Sequence, residues 1–348
     1  MINIIDYKDK SLLLLGDLHG EFSKLIGFFK KNQRMISEKK SHDLKPEIKR
    51  RHRRKNGHPS SFLDSITYYY NTCIVVCGDC GFGFNKIGYY ELILNSLQDL
   101  LESQNNILLF VRGNHDDPKY FNSQDIGLNY KNIKFVPDYS VLLTQHNTTL
   151  CVGGAISVDR TWRQKNDLTR NRFKLNKDSK KISYWEDEKI INIDLNNFIT
   201  ELTDSNIHVD SIISHTLPYK IVNDIKTTNP SFLSIDESPL NTEWAKNDPT
   251  LLDDLISGWD ILMNIYKTLL TKNKIQWWVC GHYHQIAYDI TKDGTSFFIL
   301  NVFDSYFCVD RFQETIYRGQ IFEPTLQIEE HDTVKIEEPK NIIDIDDF

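Results

Sequence analysis

Residues 106–116 read Asn-Ile-Leu-Leu-Phe-Val-Arg-Gly-Asn-His-Asp. Ile107 to Val111 form an apolar run with no polar alternation, the pattern of a strand covered on both faces. The run stops at Arg112-Gly113, where glycine allows a sharp turn. Asn114, His115 and Asp116 follow at once, so an amide, an imidazole and a carboxylate sit at the end of a buried strand. These groups ligate metals and move protons.

The same grammar recurs on both sides. Upstream, Thr72-Cys-Ile-Val-Val-Cys77 closes on Gly78-Asp79, and Ser11-Leu-Leu-Leu-Leu15 closes on Gly16-Asp17-Leu18-His19. Downstream, Val209–Ser214 ends at His215, and Ile275–Cys280 ends in Gly281-His282-Tyr283-His284. Phe22, Leu25, Ile26 and Phe29 fall at helical spacing and predict a helix over about 21–37. A second helix is expected over about 86–103. Strands alternating with helices predict an α/β fold with functional groups at the C-terminal edge of the sheet.

Beyond residue 120 the pattern changes. Short strands at 133–136, 141–144 and 149–152 predict an antiparallel extension. The polar stretch 159–206 carries one expected helix, near 186–201. Leu251, Leu252, Leu255, Ile256, Trp259 and Leu262 predict a helix over about 249–271, with Pro249 in its first turn. Residues 285–290 and 296–301, with Gly294 between them, read as a hairpin.

Composition sets the outer bounds. The chain has 348 residues, 40% hydrophobic and 26% charged, with a net charge of −7, as expected of a soluble globular protein. No apolar stretch approaches the roughly 20 residues that span a bilayer. The run at Leu12–Leu15 is too short for a signal peptide, so a cytoplasmic protein without membrane partners is expected. Most of the six cysteines lie in apolar runs and read as structural thiols; Cys77-x-x-Cys80 has no second pair to complete a zinc site.

Charge is unevenly placed. Residues 39–58 hold nine Lys or Arg against two acids, and residues 328–348 hold eight acids against two Lys. The expected organisation is a domain over 1–327 with a basic insertion at about 38–60, then an acidic tail at 328–348. The insertion lacks aromatic side chains for base stacking, so a solvated loop is the first reading and a nucleic-acid contact through 39–58 the second.

Taken in order, Asp17-x-His19, Gly78-Asp79, Gly113-Asn114-His115-Asp116, His215 and Gly281-His282-x-His284 resemble the motif series of the calcineurin-like metallophosphoesterase superfamily. The resemblance implies a four-layer α-β-β-α sandwich of two mixed sheets flanked by helices. It implies two metal ions, Mn²⁺ first, with Fe, Zn, Ni or Co accepted by the same donors. Asp17, His19, Asp79 and His284 would hold the first ion; Asp79, Asn114, His215 and His282 the second. A hydroxide bridging the ions would attack a phosphomonoester or phosphodiester carried by a small molecule, nucleotide or phosphoprotein.

The resemblance also assigns supporting roles. His115 would act as general acid or hydrogen-bond a phosphoryl oxygen, with Asp116 fixing its tautomer and favouring its protonated form. Arg112 matches an arginine that clamps phosphate in the phosphoprotein phosphatase branch, and Asn114 would also face the substrate. Gly153-Gly-Ala-Ile-Ser-Val-Asp-Arg-Thr-Trp-Arg163 resembles a segment of bacterial and phage members, which would turn Arg160 or Arg163 toward the substrate. Cys80-Gly-Phe-Gly-Phe84 lacks the further acid and arginine of the phosphoprotein phosphatases, and Asp116 stands where that branch has Glu. Two other readings remain: a nuclease or phosphatase that processes nucleic acid, and a catalytically silent binding module on the same fold.

Overall fold

A computed structural model describes residues 2–43, 69–122, 128–172, 181–222, 243–302, 305–309 and 316–320. Residues 44–58 of the basic segment and the whole acidic tail lie outside them.

Thirteen strands among the described residues form two sheets. The first joins β2 (Ser11–Leu15), β3 (Thr72–Val76), β4 (Ile107–Phe110) and β5 (Ile133–Phe135) in parallel. β12 (Ser305–Val309) and β13 (Ile316–Gln320) continue it antiparallel beyond β2. The second sheet runs in the order β1 (Ile4–Asp6), β6 (Ser140–Leu143), β7 (Thr148–Val152), β8 (Ser211–Ser214), β9 (Trp277–Cys280), β11 (Ser296–Ile299), β10 (Ala287–Ile290).

The unbroken apolar runs now have a cause. Each strand presents alternate residues to two different cores. Leu13, Leu15, Ile74, Val76, Leu108 and Phe110 pack under helices α1 (Phe22–Asp43) and α2 (Ile87–Ser103). Their neighbours Leu12, Leu14, Cys73, Val75 and Leu109 face the second sheet, where Leu142, Cys151, Ile213, Trp277 and Val279 meet them. The far face of that sheet, with Val141, Leu150, Ile212 and Trp278, packs against helices at 195–204 and 251–270. Burying each such side chain contributes about 1.5–3 kcal/mol.

Several boundaries differ from expectation. β5 pairs in parallel with β4 and completes the first sheet, so the antiparallel extension is confined to β6 and β7. α1 continues to Asp43 and takes in the start of the basic segment. After the short α3 (Lys119–Asn122), a helix that the sequence did not signal, α4 (Arg160–Asn171), follows β7. Its buried residues are Arg160 and Arg163, so it has no apolar stripe to betray it. The helix expected near 186–201 is α5 (Leu195–Asp204), because the Asp194 carboxylate accepts a hydrogen bond from the Asn197 backbone N–H at 3.1 Å and caps it there. α6 (Glu243–Asn247) precedes α7 (Leu251–Leu270), whose buried face runs through Leu255, Leu262, Ile265, Tyr266 and Leu269. The hairpin forms as predicted, between β10 and β11. No helix among the described residues is long and apolar enough to cross a membrane.

Candidate metal centre

The C-terminal ends of β2, β3, β4, β8 and β9 meet, and every expected ligand lies just beyond one of them. Three belong to the first sheet and two to the second. Asp17, His19, Asp79 and His284 offer donor atoms that all lie within 4.8 Å of one another. His19 Nε2 and His284 Nε2 are 2.8 Å apart, and Asp17 Oδ2 lies 3.7 Å from the first and 3.4 Å from the second. Two imidazole nitrogens and carboxylate oxygens turned toward one point are the donor chemistry of Mn, Fe or Zn.

A second group lies beside the first. His215 Nε2 is 2.9 Å from Asn114 Oδ1, 3.1 Å from Asp79 Oδ1 and 3.3 Å from His282 Nδ1. Asp79 stands between the groups: Oδ1 faces His215, and Oδ2 lies 3.9 Å from a ring nitrogen of both His19 and His115. His215 Nδ1 donates to the Cys77 carbonyl at 2.9 Å, which leaves Nε2 to face inward.

The backbone is bent to make this possible. His19, Asp79, His282 and His284 all take positive φ, at 47°, 45°, 70° and 52°. Such conformations cost about 1–2 kcal/mol for each non-glycine residue and concentrate at functional sites. Glycine is required beside them. A Cβ on Gly281 would stand 1.9 Å from Asp17 Oδ1, and one on Gly78, itself at φ +101°, would stand 2.1 Å from His215 Nδ1.

Buried carboxylates and imidazoles shift one another's charge states in both directions. Burial opposes a charge on His215, yet Asp79 and Asp17 raise its pKa to about 9. Burial also works against the Asp79 carboxylate, but His215, His115 and His19 hold it well below the usual range. His282 goes the other way, pushed far down by burial and by His215. His284 is raised by its hydrogen bond to Asp17.

Three of the expected supporting roles look different in the structure. Arg112 is fully buried. It pairs with Asp138 at 2.8 Å and donates to the carbonyls of Asp187, Glu188 and Lys189. It therefore clamps a loop rather than a phosphate. Asp116 accepts from the backbone N–H groups of Cys80, Gly81, Phe82 and Gly113, which commits its carboxylate to the turns and not to the His115 ring. Arg160 is buried, and its guanidinium is committed to ion pairs with the buried Asp248 and the partly exposed Asp254.

Arg163 does reach the site. Its terminal nitrogens lie 2.5 Å from His115 Nε2 and 3.2 Å from Nδ1, and its Nε pairs with Asp159 at 2.8 Å. Burial, with the Arg163 charge adding to it against the opposing pull of Asp79, pushes the His115 pKa down to about 4. The ring is thus neutral at pH 7, contrary to the protonated form expected. Phe84 flanks it, with ring centroids 6.3 Å apart, and leans on Trp185.

Three further residues were missed. Asp138 partners Arg112, while Ser157 and Glu188 join Asn114 in a buried hydrogen-bonded chain. Ser157 lies inside the Gly153–Arg163 segment already singled out; Glu188 lies in the polar stretch 159–206, where no site residue was expected beyond Asp159–Arg163.

A family model for calcineurin-like phosphoesterases matches residues 10–286. The chain belongs to the calcineurin-like phosphoesterase family. It is thus a metal-dependent hydrolase of phosphoric esters, with a candidate metal site at Asp17, His19, Asp79 and His284. No curated protein matches the sequence. Solved structures with some likeness include a dimetal phosphatase from Danio rerio, 14% identical, covering 72% of this chain and 78% of its own, TM-score 0.29. A cold-active protein-tyrosine phosphatase of a psychrophilic Shewanella species is 11% identical over 92% of this chain and 80% of its own, TM-score 0.32. At these scores the likenesses carry no argument about this chain.

Proposed function

We propose that this member of the family hydrolyses a phosphomonoester or phosphodiester at a two-metal centre, with Asp79 shared between the sites. The position of Asp79 carries this reading, since its two oxygens face different histidines. Asp17, His19, Asp79 and His284 hold one ion; Asp79, Asn114, His215 and His282 hold the other. Mn²⁺ is the first choice, with Fe, Zn, Ni and Co fitting the same donors. The bound ions supply Lewis-acid polarisation of the ester and activation of water.

The chain's own residues bind and orient the ester. The neutral His115 ring accepts from Arg163 at Nε2 and hydrogen-bonds a phosphoryl oxygen through its remaining N–H, the second of the two roles expected for it. Arg163, alongside that ring, supplies positive charge for the phosphate. Arg112 and Arg160 act by holding the walls, and Asp116 by fixing the turns that carry Asp79 and Asn114. Cys73, Cys77, Cys80, Cys151 and Cys280 are buried free thiols, which suits a reducing cytoplasm.

The test uses metal-stripped protein reloaded with Mn²⁺ and assayed on an aryl phosphomonoester and an aryl phosphodiester in parallel. Hydrolysis of at least one that Asp79→Asn abolishes is the expected result. A wild type that binds no metal overturns the proposal.

A further inference from the structure

The side-chain amide of Asn114 has two ends with opposite chemistry. Oδ1 lies 2.9 Å from His215 Nε2, and Nδ2 donates to Ser157 Oγ at 2.9 Å. Ser157 Oγ in turn donates to Glu188 Oε2, and the Ser157 backbone N–H donates to Glu188 Oε1, both at 2.6 Å. All three residues are buried, with Glu188 only 1% exposed. Glu188 is itself held from behind, since its carbonyl accepts from Arg112 Nη1 at 2.8 Å and from the Ala155 backbone N–H at 3.2 Å.

With the Ser157 hydroxyl donating to Glu188, the donors and acceptors of this chain pair in one way. A serine hydroxyl carries a single proton. Here that proton is committed to the Glu188 carboxylate, so toward Asn114 the hydroxyl can only accept. The Asn114 amide must then present its NH2 to Ser157 and its oxygen to the ligand cluster. Were the hydroxyl proton released, it could donate to Asn114 Oδ1, and an amide turned over would aim its NH2 at the metal position. A cation is repelled by an N–H donor and bound by a carbonyl oxygen.

We propose that Ser157 and Glu188 are positioning residues that lock the Asn114 amide with its oxygen toward the second metal. This rests on the two-metal reading above. Arg112, expected to clamp phosphate, belongs to the same device: it fixes the loop 187–189 from which Glu188 reaches Ser157.

The test is a calorimetric titration of metal-stripped full-length protein with Mn²⁺, on wild type, Ser157→Ala and Glu188→Gln. The expected wild type takes up two ions in two resolvable steps. In both variants the affinity of one step falls about 10–100-fold, the usual effect of removing a partner that orients a ligand, while the other step stays within about 2-fold. Raising free Mn²⁺ restores the variants' hydrolytic rate. Ser157→Ala keeps the backbone bond to Glu188, so it carries the test if Glu188→Gln fails to fold. Variants that keep both wild-type affinities, or that weaken both steps equally, overturn the relay alone. A wild type with no second step overturns the two-metal reading and the relay with it.

Discussion

His19 Nε2 and His284 Nε2 stand 2.8 Å apart across the seam between the two sheets, although 265 residues separate them in the chain. Both nitrogens also turn toward Asp17 Oδ2, at 3.7 Å and 3.4 Å, the arrangement that a shared ion would use. Replacing either by Ala should remove one ion from the Mn²⁺-loaded protein. Even partners that merely orient a ligand contribute 10–100-fold, so losing the ligand itself should weaken that site by more than about 100-fold. Elemental analysis after gel filtration reads the loss; full metal content in both variants contradicts the assignment.

His115 is next to the ligands without being one. His115→Gln should lower kcat by about 10²–10⁴-fold, the range for a group that assists proton transfer or donates to the transition state. Metal content should remain that of the wild type. Loss of metal from this variant would mean that the ring supports the ions rather than the ester.

The contact between Gly281 and Asp17 gives a steric test. Gly281→Ala places a Cβ where Asp17 Oδ1 already is, so it should cost about 1–3 kcal/mol and displace a ligand. Gly258→Ala, in the middle of α7 with 3.7 Å to the nearest atom, is the control and should be neutral or stabilising by up to about 1 kcal/mol. Thermal denaturation and metal content are measured together. Equal behaviour of the two variants would rule out the close approach.

Arg160 binds Asp248 through two nitrogens, at 2.6 Å and 3.0 Å, in a nearly dry setting. Arg160→Ala should lose about 3 kcal/mol, because it leaves a buried carboxylate without its partner. The Arg160 hydrogen bond holds the Asp248 pKa well below its ordinary value. A depressed carboxylate contributes stability above its unfolded pKa, and that contribution disappears as pH falls toward the folded one. The gap between wild type and variant should therefore be constant above about pH 4 and narrow below it. Urea denaturation across pH 2.5–7 measures it.

His215 predicts the opposite slope in metal-free protein. Its pKa is raised from about 6.5 to about 9, so the stability that it contributes is complete below pH 6.5 and lost as pH rises through 9. A metal must displace that proton to use Nε2. Loading with Mn²⁺ at pH 7.5 should release protons, detectable as a dependence of the calorimetric heat on the buffer's ionisation enthalpy. His215→Ala should reduce that release.

The ligand set was legible in the sequence because each member repeats one local rule: an apolar run, a turn, a donor. Five such endings in one chain leave few alternatives. The arginines were not legible. Arg112 at a strand end looks the same whether its guanidinium reaches out to a phosphate or folds back onto three carbonyls, and only the placement of the 187–189 loop decides. α4 escaped for a related reason. Helix recognition relies on an apolar stripe, and this helix buries two cations instead, Arg160 matched by the distant Asp248 and Arg163 by the nearby Asp159. Glu188 shows the limit most clearly: its burial is set by partners 31 and 76 residues away.

Neither sheet owns a complete set of ligands. Asp17, His19, Asp79 and Asn114 come from one, His215, His282 and His284 from the other. The centre therefore works as a clasp between two half-structures. It cannot exist in a folding intermediate that has formed only one of them, and ions that bind there would bias the last step of assembly. A lesion that loosens the fit between the sheets should surface as leakage of metal well before the helices melt.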